Sequence, residues 1–150
     1  MTFILIVDAN EALAARASDA LISAGHACGW VTGGERAIAL LRWRAPDLVL
    51  LDQATGATEG RRLPQLLRRA ANIADLPIIL LTSGSPSIGA DDALESEIVD
   101  RISKPFDPRF LVWRVNHALE AHLARPLMFG REESPTIDAK IQGAPSERVA

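Results

Sequence analysis

Short, unbroken apolar runs punctuate the chain, and each closes on a polar residue. Phe3-Ile4-Leu5-Ile6-Val7 meets Asp8, Leu48-Val49-Leu50-Leu51 meets Asp52, and Ile78-Ile79-Leu80-Leu81 meets Thr82, while a fourth, weaker run ends at Lys104-Pro105. Apolar runs this short, without polar alternation, predict strands buried on both faces, the habit of parallel sheets. Between them the period becomes helical. Glu11 to Ala24 places Leu13, Ala17, Ala20, Leu21 and Ala24 on one face, with Gly25 as a stop. Residues 27–31 predict a second, partly polar strand, and Glu35 to Ala45 a helix with Ile38, Leu41 and Ala45 inward, closed by Pro46-Asp47. A loop from Gln53 to Glu59 leads into a helix over 58–71, where Pro64 lies in the first turn or marks a later start. A strand at 77–82, a loop from Ser83 to Gly89, a short acidic helix at about 90–97 and a strand at 98–103 follow. Asp107-Pro108 supplies an N-cap with proline in first helical position, and Leu111, Val115, Ala118 and Leu119 mark a buried face to about Ala124.

A strand followed by a helix, five times over, predicts an α/β, doubly wound fold: a five-stranded parallel sheet covered on both faces and joined by right-handed crossovers. From Arg125 the pattern fails. Pro126, Gly130, Pro135, Gly143 and Pro145 interrupt a mixture of charged and small residues, so a domain at 1–124 and a flexible tail at 125–150 are expected. A 150-residue chain can bury roughly two thirds of its unfolded surface, enough for one such domain.

Charge and cysteine content narrow the function classes. Sixteen basic against nineteen acidic residues leave a net charge of −3, which offers no general attraction to a polyanion. Arg61, Arg62, Arg68 and Arg69 make one helix basic, but no interleaved aromatics accompany them, so a solvated face is expected and no nucleic-acid partner. The single Cys28 excludes an internal disulfide and a thiolate zinc cluster, and His117 and His122, five apart, diverge on their helix. No apolar stretch reaches the ~18 residues of a membrane span and no signal-peptide pattern opens the chain, so a cytoplasmic protein without membrane contact is expected.

Parallel sheets gather functional groups at the carboxyl ends of their strands, so Asp8, Asp52, Thr82 and Lys104 are expected to converge. In order and spacing, Ile4-Leu5-Ile6-Val7-Asp8, Asp47-Leu48-Val49-Leu50-Leu51-Asp52, Leu80-Leu81-Thr82 and Ser103-Lys104-Pro105-Phe106 resemble the four motifs of the response-regulator receiver domain, over about residues 1–124. The resemblance implies a flavodoxin-like fold in which Asp52 accepts a phosphoryl group from a histidine kinase or phosphotransfer protein, a phosphoacceptor and not an enzyme in the ordinary sense. It implies that Lys104 and Thr82 contact the phosphoryl group and that Mg2+ is held by Asp8, Asp52 and the backbone carbonyl of Ala54. The residue types suit that chemistry. Phosphoryl transfer needs positioning and charge neutralisation, a carboxylate nucleophile needs no base near neutral pH, and a hard cation takes oxygen ligands.

Three positions depart from the family pattern. Ala9 stands where receivers carry a second acidic residue, so Mg2+ binding should be weak. Arg101 occupies the place of the aromatic that turns inward on phosphorylation in many relatives, so the expected switch positions are Thr82 and Arg101, without ring burial. Gly56 replaces the usual proline after the phosphoacceptor. The leading expectation is a single-domain response regulator that signals by protein contact, through a downstream partner or a homodimer at the face formed by the helix at 90–97, the strand at 98–103 and the helix that follows. The alternative is a pseudo-receiver, an interaction module that works without phosphorylation. A nucleotide-binding enzyme is disfavoured, because Asn10-Glu11-Ala12 follows the first strand where a glycine-rich phosphate loop would stand.

Overall fold

The computed structural model describes residues 1–58, 63–83 and 98–129. Its elements run β1 (Phe3–Val7), α1 (Glu11–Ser23), β2 (Ala27–Val31), α2 (Gly34–Leu41), β3 (Leu48–Asp52), α3 (Gln53–Thr58), α4 (Leu63–Ala71), β4 (Ile78–Ser83), β5 (Asp100–Lys104) and α5 (Pro108–Phe129). The strands form one parallel sheet in the order β2-β1-β3-β4-β5. All five residues of β1 and of β3 are buried. The sequence expectation of strands covered on both faces therefore holds at the sheet centre, and β2 at one edge is half-buried throughout. The expected helix at 90–97 and the chain from 130 onward lie outside the described residues.

Side-chain alternation along each strand divides the core in two. Leu5, Val7, Val49, Leu51, Ile78 and Leu80 pack with Ala37 and Leu41 of α2 and with Leu63 and Leu67 of α4. Ile4, Ile6, Leu48, Leu50, Ile79, Leu81 and Ile102 pack on the other face with Ala14, Ala17 and Leu21 of α1 and with Leu111, Val115 and Leu119 of α5. Both cores lie within the compact unit Met1–Leu119; Glu120–Ala150 forms a second unit, which α5 enters.

Several boundaries differ from those read in the sequence. The buried stripe of α1 is Ala14, Ala17, Ser18 and Leu21, while Leu13 is half-buried and Ala24 exposed. Small residues win the sheet-facing positions because a helix must approach a β-sheet closely, which the apolar pattern alone does not disclose. Gly25, at φ +101°, ends the helix in the left-handed region that glycine enters without strain. Helix α2 stops at Leu41, before Ala45, which is exposed. The 53–59 loop is instead largely the short helix α3, and α4 begins at Leu63, so Pro64 sits in its first turn. Helix α5 continues to Phe129, beyond the break read at Arg125. At its start Asp107 accepts the Arg109 N–H at 2.8 Å, the cap foreseen from Asp107-Pro108.

Candidate functional site

Asp8 follows β1, Asp52 closes β3 and Lys104 closes β5, so the carboxyl end of the sheet delivers all three. Pleating sets their direction. Asp52 has the parity of Leu50, and Lys104 that of Ile102, so both project on the α1/α5 face of the sheet. Thr82 has the parity of Leu80 and takes the opposite side, as does its β5 register partner Ser103.

Lys104 joins the two carboxylates. Its Nζ lies 2.7 Å from Asp8 Oδ2 and donates to Asp52 Oδ1 at 2.9 Å. The Asp8 and Asp52 side chains are only 2% and 8% exposed, against 15% for Lys104. Two carboxylates this buried would repel strongly without a counter-charge, since little solvent screens them. Burial alone would lower the Lys104 pKa. Hydrogen bonds to Asp52 and Asp8, together with their charges, outweigh burial and hold the ammonium above the ordinary lysine value.

The remaining carboxylate oxygens are fixed locally. Asp8 Oδ1 accepts the Asn10 N–H at 2.9 Å, and Asn10 Oδ1 in turn accepts the Leu13 N–H at 3.1 Å, capping α1. Asp52 Oδ2 accepts both the backbone N–H and the hydroxyl of Thr55, each at 3.2 Å. Asp52 thus acts as N-cap of α3, and Thr55, itself buried, is a site residue that sequence reading missed. Its signal was available: Thr three residues after an Asp is placed to donate twice to a capping carboxylate.

The expected set is only partly assembled. Asp8, Asp52 and Lys104 come together, and Ala54 lies in the first turn of α3 beside them in sequence. The Thr82 hydroxyl instead donates to Ser103 Oγ at 3.4 Å. Arg101 stands in β5 opposite Leu80, its N–H donating to Asp100 Oδ1 at 2.7 Å and its carbonyl accepting from Arg114 at 3.1 Å. Arg114 also clasps the Asp100 carboxylate with two nitrogens. The peptide between Lys104 and Pro105 is cis.

The donor set suits a hard cation in kind. It contains only oxygens, its two carboxylates are buried, and apart from the ammonium Asp8 Oδ2 has no polar partner among the described residues. The number of carboxylates is small: among the described residues no group of three His, Cys, Asp or Glu side chains is placed to hold a metal. A cation here would complete its shell with carbonyl, water or phosphoryl oxygen.

A family model described as the response regulator receiver domain matches residues 4–116. The chain belongs to the response-regulator receiver family. It is 37% identical over 116 residues to the phosphate regulon transcriptional regulatory protein PhoB of Pseudomonas aeruginosa, covering 77% of this chain and 51% of that protein. It is 32% identical over 123 residues to the DNA-binding response regulator MtrA of Mycolicibacterium smegmatis, covering 82% and 53%. This receiver chain therefore spans about half the length of the curated relatives it matches. The expectation of no nucleic-acid partner gains no support from relatives so described.

Among solved structures, the receiver resembles NtrX of Brucella abortus with a TM-score of 0.73 and 26% identity, over 87% of this chain and 29% of that one. A response regulator from Desulfuromonas acetoxidans, at 21% identity, shares the fold with a TM-score of 0.71 over 81% and 98%. Receiver domains are the phosphoacceptors of two-component systems, interact with histidine kinases and generally bind Mg2+ at their acidic pocket. No helix among the described residues is long and apolar enough to cross a membrane.

Proposed function

We propose that this receiver takes a phosphoryl group on Asp52 from a histidine kinase or phosphotransfer protein and passes the signal on by protein contact in the cytoplasm. The observation carrying this reading is the ammonium of Lys104 held between two buried carboxylates at 2.7 and 2.9 Å. A merely structural lysine would gain little from such burial, whereas a phosphoryl acceptor needs a fixed cation beside its nucleophile.

Asp52 attacks phosphorus, its C–O oxygen bonding as the P–N bond of the phosphohistidine donor breaks, and the imidazole leaves with the bonding electron pair. Lys104 then balances charge on the acyl phosphate. Asp8, Asp52 and the Ala54 carbonyl would hold Mg2+, whose chemistry is to neutralise phosphoryl oxygens; with Ala9 in place of an acid, that hold is weak. Thr82 is the proposed switch: it exchanges its long bond to Ser103 for a phosphoryl oxygen, and Arg101 answers by a new ion pair.

Two surface features support the protein contacts. An open recess of about 170 Å³ lined by Asn10, Leu13, Arg16, Pro105, Phe106 and Pro108 adjoins the site and suits an incoming phosphodonor domain. On α5, Phe110 and Trp113 are exposed, and Trp113 stacks on His117 with centroids 5.6 Å apart, which suits a downstream partner or second copy.

Incubation with acetyl phosphate and millimolar magnesium, read by intact mass, tests the proposal. It requires a phosphoryl adduct that Asp52→Asn abolishes. The pseudo-receiver reading rests on Ala9 and Arg101, the two departures from the family pattern at the site and switch positions, and it requires no adduct on the wild type.

A further inference from the structure

Asp52 presents two unlike oxygens. Oδ1 accepts from the Lys104 ammonium at 2.9 Å, whereas Oδ2 is held by two donors from one residue of the helix that follows, the Thr55 N–H and hydroxyl, both at 3.2 Å. Thr55 is buried and stands in the first turn of α3, so its hydroxyl has a fixed direction. The backbone N–H contact belongs to any capped helix. The hydroxyl contact depends on this side chain.

Resting on the phosphoacceptor reading, we infer that Thr55 is a positioning residue that sets the lifetime of phosphorylated Asp52. With Oδ2 held by both Thr55 donors, Oδ1, which meets the Lys104 cation that also serves the incoming phosphoryl group, is the oxygen that bonds to phosphorus, and Oδ2 becomes the carbonyl oxygen of the acyl phosphate. The Thr55 hydroxyl then donates to a neutral carbonyl where before it donated to a carboxylate. Hydrogen bonds to charged acceptors are about twice as strong as those to neutral ones, so Thr55 stabilises the free carboxylate more than its phosphorylated form. Hydrolysis reverses the change. Water adds to phosphorus, the P–O bond breaks, its electron pair returns to Asp52 as carboxylate charge, and a proton of the water passes to solvent. The hydroxyl strengthens its bond as that charge develops, so it speeds loss of the phosphoryl group and keeps the signal short.

Thr55→Val keeps side-chain shape and removes the hydroxyl, and Thr55→Ser restores it. Each variant and the wild type are phosphorylated with acetyl phosphate and magnesium, the donor is removed by rapid desalting, and the decay of adduct is followed by intact mass. The expected result is a half-life about fivefold longer in T55V than in the wild type, with T55S close to the wild type. Thermal melts accompany the decay curves, and Thr55→Ala replaces T55V if the latter does not fold. Equal half-lives in all three proteins overturn the role of Thr55 and leave the phosphoacceptor reading standing. A longer half-life in both T55V and T55S overturns it too, since packing and not the hydroxyl would then be responsible. A wild type that takes no adduct overturns the phosphoacceptor reading and, with it, this one.

Discussion

Replacing Lys104 by methionine tests how the pocket is held together. The substitution keeps an unbranched chain of similar length and removes the charge that lies 2.7 Å from Asp8 and 2.9 Å from Asp52. At an effective dielectric near 20, each contact at that range is worth about 6 kcal/mol before desolvation is subtracted. Removing one member of such a cluster strands the other charges, a loss of about 3 to 5 kcal/mol in buried pairs. The 15% exposure of Lys104 argues for the lower end, about 3 kcal/mol. Equilibrium urea unfolding should show the midpoint falling by about 1.5 M at an unchanged slope of roughly 2 kcal/mol/M. Asp8→Asn in the same background removes the like-charge repulsion and should recover about half of the loss, a coupling that additive effects cannot produce. Millimolar magnesium should stabilise Lys104→Met more than the wild type, because the cation no longer competes with an ammonium. A variant within about 0.5 kcal/mol of the wild type, or no interaction between the two substitutions, would refute the idea that Lys104 balances both carboxylates.

Other outcomes follow from the same geometry. Ala9→Asp adds a carboxylate beside Asp8 and should tighten magnesium binding about tenfold, measured by calorimetric titration; unchanged affinity would show that the weak acidic pair is not what limits the metal. Because the Lys104 pKa is raised on folding, its contribution to stability is complete below the ordinary lysine value of about 10.4 and is lost as pH climbs through the raised folded value. Unfolding midpoints should therefore fall more steeply above pH 10 in the wild type than in Lys104→Met, and parallel curves would exclude the link. Asn10→Ala removes the cap on α1 and should cost about 1 kcal/mol, a drop of roughly 4 °C in melting temperature, without moving the Asp52 contacts.

The sheet was legible because its central strands are buried on both sides and carry no polar alternation. Phe3 to Val7, Leu48 to Leu51 and Ile78 to Leu81 have no other good reading, and their terminal polar residues mark the site. Helix faces were less legible. Ala14 and Ser18 face the sheet in preference to Leu13 because close approach selects small residues, a property of the partner surface that a one-dimensional pattern omits. After Asp52 the sequence predicts a loop from Gln53 to Glu59, yet the carboxylate caps α3 and recruits Thr55 into the site. Asp8, Asp52 and Lys104 could be placed together from topology alone. Thr82 does not join them, because its place in the pleat turns it to the opposite face of the sheet, where its hydroxyl bonds to Ser103.

The most direct test of the central claim is amide NMR of the labelled protein on addition of beryllofluoride and magnesium, with Asp52→Asn alongside. A working phosphoacceptor gives shifts concentrated at residues 52–55, at Thr82 and at Ser103 and Lys104, all absent in Asp52→Asn. An unchanged wild-type spectrum at millimolar magnesium, or the same shifts in Asp52→Asn, would contradict phosphoryl acceptance at Asp52.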